Sequence, residues 1–286
     1  MSIGLLTLFL VGHLFTADGR IAPVGRLHYW THAAYAKLEP LVIRIADLML
    51  RRRFFVERPA GRFLLWLVAR ANVFLPHGVV IPTPAAARIL RDIAGAPGAE
   101  AHLAVGPCVC QRNLRRFREP VEKDITVLYG AEIYRRFFPE YRSLALEEAL
   151  ALLQRYHEAG LTPVAEFLMQ SGRWMFVLCN CDQEVCCPTR IYNAVGRSLY
   201  PGPYQARQDL EKCVGAATCG RCLQRCHFRA NFPAAGKVRL DPERCLGCGL
   251  CVTTCPGKAR KLIRRPGYRG RLLPFQRAAS PEMDDE

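Results

Sequence analysis

The 286-residue chain has neither G-x-G-x-x-G nor G-x4-G-K-[ST], the glycine-rich loops that cradle nucleotide phosphates, so no nucleotide site is visible. It has no G-x-S-x-G elbow and no H-E-x-x-H, which removes the serine-hydrolase and zinc-protease chemistries those motifs carry. The C-x3-C-x2-C of radical enzymes that cleave S-adenosylmethionine is also missing. His13, His28, His32, His77, His102 and His157 are scattered and read as structural. Long apolar runs are lacking too. Residues 1–15 are apolar but fall short of the ~20 residues of a spanning helix, and they lack the basic leader and small-residue cleavage site of a secretory signal. Acidic residues are scarce: 25 Asp and Glu stand against 40 Lys and Arg, a net charge of +15. Such a balance suits an acidic protein, an anionic membrane surface or nucleic acid. The basic run of Lys258, Arg260, Lys261, Arg264, Arg265, Arg269 and Arg271 has only Tyr268 as a stacking platform, which argues against nucleic acid and for a docking patch.

What the chain has in abundance is cysteine, fourteen residues in all. They fall in C-x-C and C-x-x-C groups within a long chain, which favours metal ligation in a reducing compartment over disulfides. Eight lie between Cys213 and Cys255. One run is Cys213, Cys219, Cys222 and Cys226; the other is Cys245, Cys248, Cys251 and Cys255, followed by Pro256. The second run reads C-x2-C-x2-C-x3-C-P, the iron–sulfur spacing of bacterial ferredoxins. Two C-x-x-C pairs also suit tetrahedral zinc, but eight thiols in this interlocked order favour two cubanes.

Residues 204–266 thus resemble the two-cluster bacterial ferredoxins. The resemblance implies that the fourth cysteine of each run ligates the other cluster. It assigns Cys213, Cys219, Cys222 and Cys255 to one 4Fe–4S cluster, and Cys245, Cys248, Cys251 and Cys226 to the other. The first run departs from the pattern twice: five residues separate Cys213 from Cys219, and His227 stands where a proline is usual.

The other six cysteines sit upstream. Residues 101–110 read as a short buried strand ending at Cys108-Val109-Cys110, and residues 173–182 as a second strand ending at Cys179-Asn180-Cys181. If the two strands are parallel neighbours, both C-x-C pairs emerge at one sheet edge, since alternate strand residues share a face. Cys108, Cys110, Cys179 and Cys181 then hold a third metal centre, with Cys186 or Cys187 as replacement ligand. Convergent thiols select soft metal, iron–sulfur first and zinc second. The layout resembles a group of larger bacterial proteins in which a C-x-C after a Gly-Pro turn and a later Cys-Asn-Cys-Asp precede a two-cluster ferredoxin. That group has arginine directly after the first C-x-C; here Gln111 intervenes before Arg112.

The expected architecture is α+β. Residues 1–75 form a helical, basic, apolar arm suited to a membrane surface, with one helix starting at Leu38-Glu39-Pro40 and running to Phe55, and another over Arg62 to Arg70. Residues 76–200 form a small thiol-rich α/β domain containing a helix N-capped by Thr83 and another over residues 144–159. Residues 201–270 form the dicluster domain, and residues 271–286 a disordered tail. The function expected is electron transfer, as a carrier or redox subunit serving a partner with an acidic surface. A reductase with the N-terminal centre as active site, or a metal-sensing or cluster-handling protein, are the alternatives. Location is cytoplasmic, peripheral on the inner face of the membrane if the arm docks there.

Overall fold

The computed structural model describes residues 26–71, 77–95, 102–168 and 175–268. The apolar run of residues 1–15 and the acidic tail lie outside them. The fold mixes helices with antiparallel sheet, as an α+β chain should.

Three helices come first: α1 (Arg26–Arg51), α2 (Arg53–Glu57) and α3 (Pro59–Ala71). The expected helix start at Leu38 is overturned. α1 begins at Arg26 and runs straight through Pro40, and it stops at Arg51 rather than Phe55. Pro40 has no N–H for Ala36, but its neighbours are held by packing: Ala33, Ala36 and Ile43 are buried in the main core.

A seven-stranded sheet follows, built from β1 (His77–Val80), β2 (Leu103–Pro107), β3 (Glu122–Val127), β4 (Arg142–Ser143), β5 (Thr162–Phe167), β6 (Met175–Cys181) and β7 (Leu199–Tyr200). Their spatial order is β4-β2-β3-β6-β5-β1-β7. All pairings are antiparallel except β1 with β7. The helices between strands are α4 (Thr83–Ala94), α5 (Val109–Leu114), α6 (Tyr129–Phe137), α7 (Leu146–Glu158) and α8 (Cys187–Val195). α4 buries Ala86, Ile89, Leu90 and Ile93, and α7 buries Ala149, Leu152, Leu153 and Tyr156. Both sets follow the i, i+3, i+4, i+7 stripe of a helix packed on one face. Thr83 is not the cap of α4. Pro82 occupies that position, and the Thr83 hydroxyl instead pairs with His157 Nδ1 at 2.9 Å. α1 lies across α5, α6 and α8, and α3 packs on α8.

The chain leaves the sheet at β7 and enters the cysteine-rich half. Here β8 (Tyr204–Gln208) pairs antiparallel with β11 (Arg260–Arg264), and β9 (Asn231–Ala234) forms a hairpin with β10 (Lys237–Leu240). Two one-turn helices, α9 (Arg221–Gln224) and α10 (Leu250–Thr253), complete it.

Candidate functional site

The two cysteine runs fold as pseudo-repeats. In each, a glycine in the left-handed region, Gly220 (φ +60°) or Gly249 (φ +78°), opens a one-turn helix. That turn carries Cys222 in the first repeat and Cys251 in the second. A side chain at either glycine would oppose this backbone, so the turn favours glycine. The fourth cysteine of each run is treated alike: Cys226 Sγ accepts the Ala230 N–H and Cys255 Sγ the Ala259 N–H, both at 3.3 Å. Cys245 Sγ accepts the Ala206 N–H at 3.5 Å.

Two cavities result. Cys213, Cys219, Cys222 and Cys255 line one of them. Cys226, Cys245, Cys248 and Cys251 line the other. The long loop after Cys213 folds against the β9–β10 hairpin tip, with Ala216 N–H donating to Gly236 O at 2.9 Å and the Lys237 ammonium donating to Cys213 O. Thiolate sets of four are the ligands an iron–sulfur cubane takes, so the donor chemistry of both cavities fits that group. Buried Arg260 donates to Val238 O at 3.1 Å and sets its charge beside Cys222, a cation suited to an anionic thiolate-bound centre. Burial pushes the Cys248 thiol up to about 12, so loading such a site must release protons.

The six upstream thiols meet in a separate cavity of 90 Å³. The expected neighbouring strands are not neighbours. β3 lies between β2 and β6, antiparallel to both, which leaves those two strands parallel and their chain exits at one end of the sheet. The first C-x-C is not on a strand either: Cys108 sits at the N-terminal end of α5 and Cys110 lies inside it. Cys179 and Cys181 do lie on β6, on one face. Cys186, at the start of α8, links the two C-x-C pairs. The Cys110 and Cys181 thiols and the Thr189 N–H stabilise its sulfur as a thiolate, which holds its pKa well below the ordinary thiol range. Cys110 also reaches Cys108 and Cys187, and Cys179 reaches Cys181. Sequence spacing ranked Cys186 as a spare; the helix start makes it central.

Buried polar contacts hold this arrangement. Asp182 Oδ2 accepts from Lys123 Nζ at 3.0 Å and Gln111 Nε2 at 3.2 Å. Its Oδ1 accepts the Glu184 and Val185 N–H groups at 2.8 and 2.6 Å, shaping the loop that delivers Cys186. Gln111 is fully buried as the tie between α5 and that loop. Asp124 Oδ2 accepts the Val109 N–H at 2.8 Å, and burial raises its carboxyl to about 6. Among the described residues, no three His, Cys, Asp or Glu side chains converge tightly enough, as they stand, to hold one metal ion.

The two thiol regions adjoin. Val80, Val164, Cys181, Cys186, Phe228 and Leu246 form one buried cluster, with Cys248 packed against it. Thr162, opposite Cys181 in the sheet, pairs with His227 Nδ1 at 3.1 Å and reaches the Cys248 sulfur. His227 O accepts from Asn193 Nδ2 at 2.8 Å. The histidine that replaces the usual proline is therefore an interface residue. Nothing in its local sequence signals that, because its partners lie 34 and 65 positions away.

A family model for the 4Fe–4S binding domain matches residues 238–261, which hold Cys245, Cys248, Cys251 and Cys255. No curated protein and no solved structure matches the chain. Spacing, cavity lining and the family match together place a ferredoxin-type 4Fe–4S binding domain in the C-terminal half of this chain.

Proposed function

We propose that the chain is an electron-transfer protein carrying two 4Fe–4S clusters, one held by Cys213, Cys219, Cys222 and Cys255, the other by Cys226, Cys245, Cys248 and Cys251. The observation that carries this reading is the division of eight interlocked cysteines between two cavities, four to each. When bound, each cluster supplies a one-electron couple, tuned by burial, nearby charge and hydrogen bonds to sulfur. The protein's share of that tuning is the set of N–H groups on Cys226, Cys245 and Cys255, and the Arg260 charge at the first cavity. An open groove of 600 Å³ adjoins that first cavity; Arg207, Lys212, Lys258, Arg260 and Lys261 line it against the two acids Asp209 and Glu211. It suits an acidic redox partner by charge.

The reading extends to the upstream thiols as a third metal centre, iron–sulfur in preference to zinc. Six thiols lining one cavity beside the ferredoxin half support it. A second reading makes that cavity the active site of a reductase. It is favoured by Tyr35, Glu39, Asp124 and Glu166, which line the same cavity beside the thiols and are groups able to carry protons.

Iron and acid-labile sulfide, counted on anaerobically purified chain, test the two-cluster assignment. Cys226→Ala should remove about four irons. Adding Cys251→Ala should remove no more, because both ligands serve one cluster. Adding Cys222→Ala should remove about four further irons. If instead the Cys226–Cys222 pair behaves as one cluster and Cys226–Cys251 as two, the division is wrong.

A further inference from the structure

Fifteen large apolar residues are exposed among the described residues, and twelve of them lie on α1, α2 and α3, so the apolar exposure is concentrated on these three helices. On α1 it runs through Leu27, Trp30, Leu38, Leu41, Ile45 and Leu48, a spacing that keeps to one helix face. Leu38, Leu41, Ile45 and Leu48 are each more than half exposed, at 58, 57, 51 and 53%. The other side of the helix is spoken for: Ala33, Ala36 and Ile43 are in the core, and Tyr35 and Glu39 wall the thiol cavity. Phe54 of α2 and Phe63, Leu64, Leu67 and Val68 of α3 extend the patch.

Charge says what would cover it. Residues 26–71, the three helices with the turns that join them, carry nine exposed cations, among them Arg44, Arg51, Arg52, Arg53, Arg58 and Arg62. Their acids are three, and two of these, Glu39 and Asp47, are buried. A second copy of the chain would set like charges against like. An anionic lipid surface takes both features at once, apolar side chains in the interface and guanidinium groups at the headgroups. No described helix is long and apolar enough to cross a membrane, so the contact is one that lies on the surface.

We propose that α1, α2 and α3 form a docking face for an anionic lipid bilayer. Because α1 also walls the thiol cavity, docking sets that cavity one helix away from the lipid.

Co-sedimentation of the full, metal-loaded chain with vesicles tests this, using phosphatidylcholine alone or mixed with phosphatidylglycerol. The chain should bind the mixed vesicles, bind neutral ones far more weakly, and release as salt rises. Replacing Arg52, Arg53 and Arg58 by Gln should weaken binding about a hundred-fold. Replacing three exposed arginines elsewhere, Arg155, Arg197 and Arg239, should change it far less, which separates a docking face from general adsorption of a basic protein. Leu41→Glu with Ile45→Glu should also abolish binding while iron content stays at the parent's. Three results overturn the proposal. One is no binding at low salt. Another is equal loss from both arginine triples. The third is a stable dimer that ignores vesicles and separates when Leu41 and Ile45 are replaced.

Discussion

Glu39 is a carboxyl that folding works against. It lies buried in α1, accepts the Tyr134 hydroxyl at 3.0 Å, and burial raises its pKa from 4.5 to about 7. A raised carboxyl favours the folded state most when protonated. Its contribution is complete below pH 4.5 and is lost as pH rises through about 7, a change on the order of 3 kcal/mol. Glu39→Gln keeps an acceptor for Tyr134 and removes the charge. Urea unfolding should show the variant more stable than the parent at pH 8 and matching it at pH 4; equal curves at both would show that the site is wet. At this scale the sequence was legible where chemistry lies in spacing. The run Cys245 to Cys255 declares its ligand type, and the matched domain covers it. It was illegible where a role comes from distant partners. His227 and Gln111 were visible only as departures from a pattern, and their reasons, Thr162 and Asp182, lie across the fold.

Element by element, the helices over 83–94 and 146–158 and the strands before each C-x-C were readable from periodicity and turn residues. Strand order was not, because an antiparallel β3 slipped between the two strands that spacing would have made neighbours. Pro40 misled for a different reason: proline preference for a first turn is weaker than the packing that carries α1 through it. The convergence of α5, β6 and α8 on one cavity yields its own expectation. Cys110→Ser with Cys186→Ser removes the thiol with three thiol neighbours and the one that joins it to Cys181. The variant should lose the upstream metal and unfold at lower temperature, since ligation and folding are linked. Its ferredoxin signals by electron paramagnetic resonance should be unchanged. Metal content and melting equal to the parent's would make these cysteines packing residues.

For the whole molecule, the crossing between the halves is the controlling feature. The turn-rich stretch at 197–204 has the look of a hinge, yet it is pinned on both sides. Leu199 and Tyr200 pair with β1, and Gly202 N–H donates to Leu246 O at 3.2 Å. Gly202 sits so close that a Cβ would lie 2.1 Å from Val80 O. Arg225 reaches across to Glu158 O at 3.2 Å, Tyr192 to Arg244 O at 3.3 Å, and His157 pairs with Thr253 at 2.9 Å. A fragment of residues 201–268 keeps all eight ferredoxin thiols but bares Phe228 and Leu246. It should take up iron and melt well below the full chain, as followed by the visible absorbance of the loaded protein on heating. A fragment as stable as the parent would show that the contact contributes little.

A joint without play turns separation into a constant. The two halves need not find each other on each cycle, so nothing that passes between them waits on diffusion. Viscosity and ionic strength act on encounters. On the proposed electron-transfer reading, they should leave any step between the halves untouched and register only at the groove beside Arg260 proposed to receive a partner.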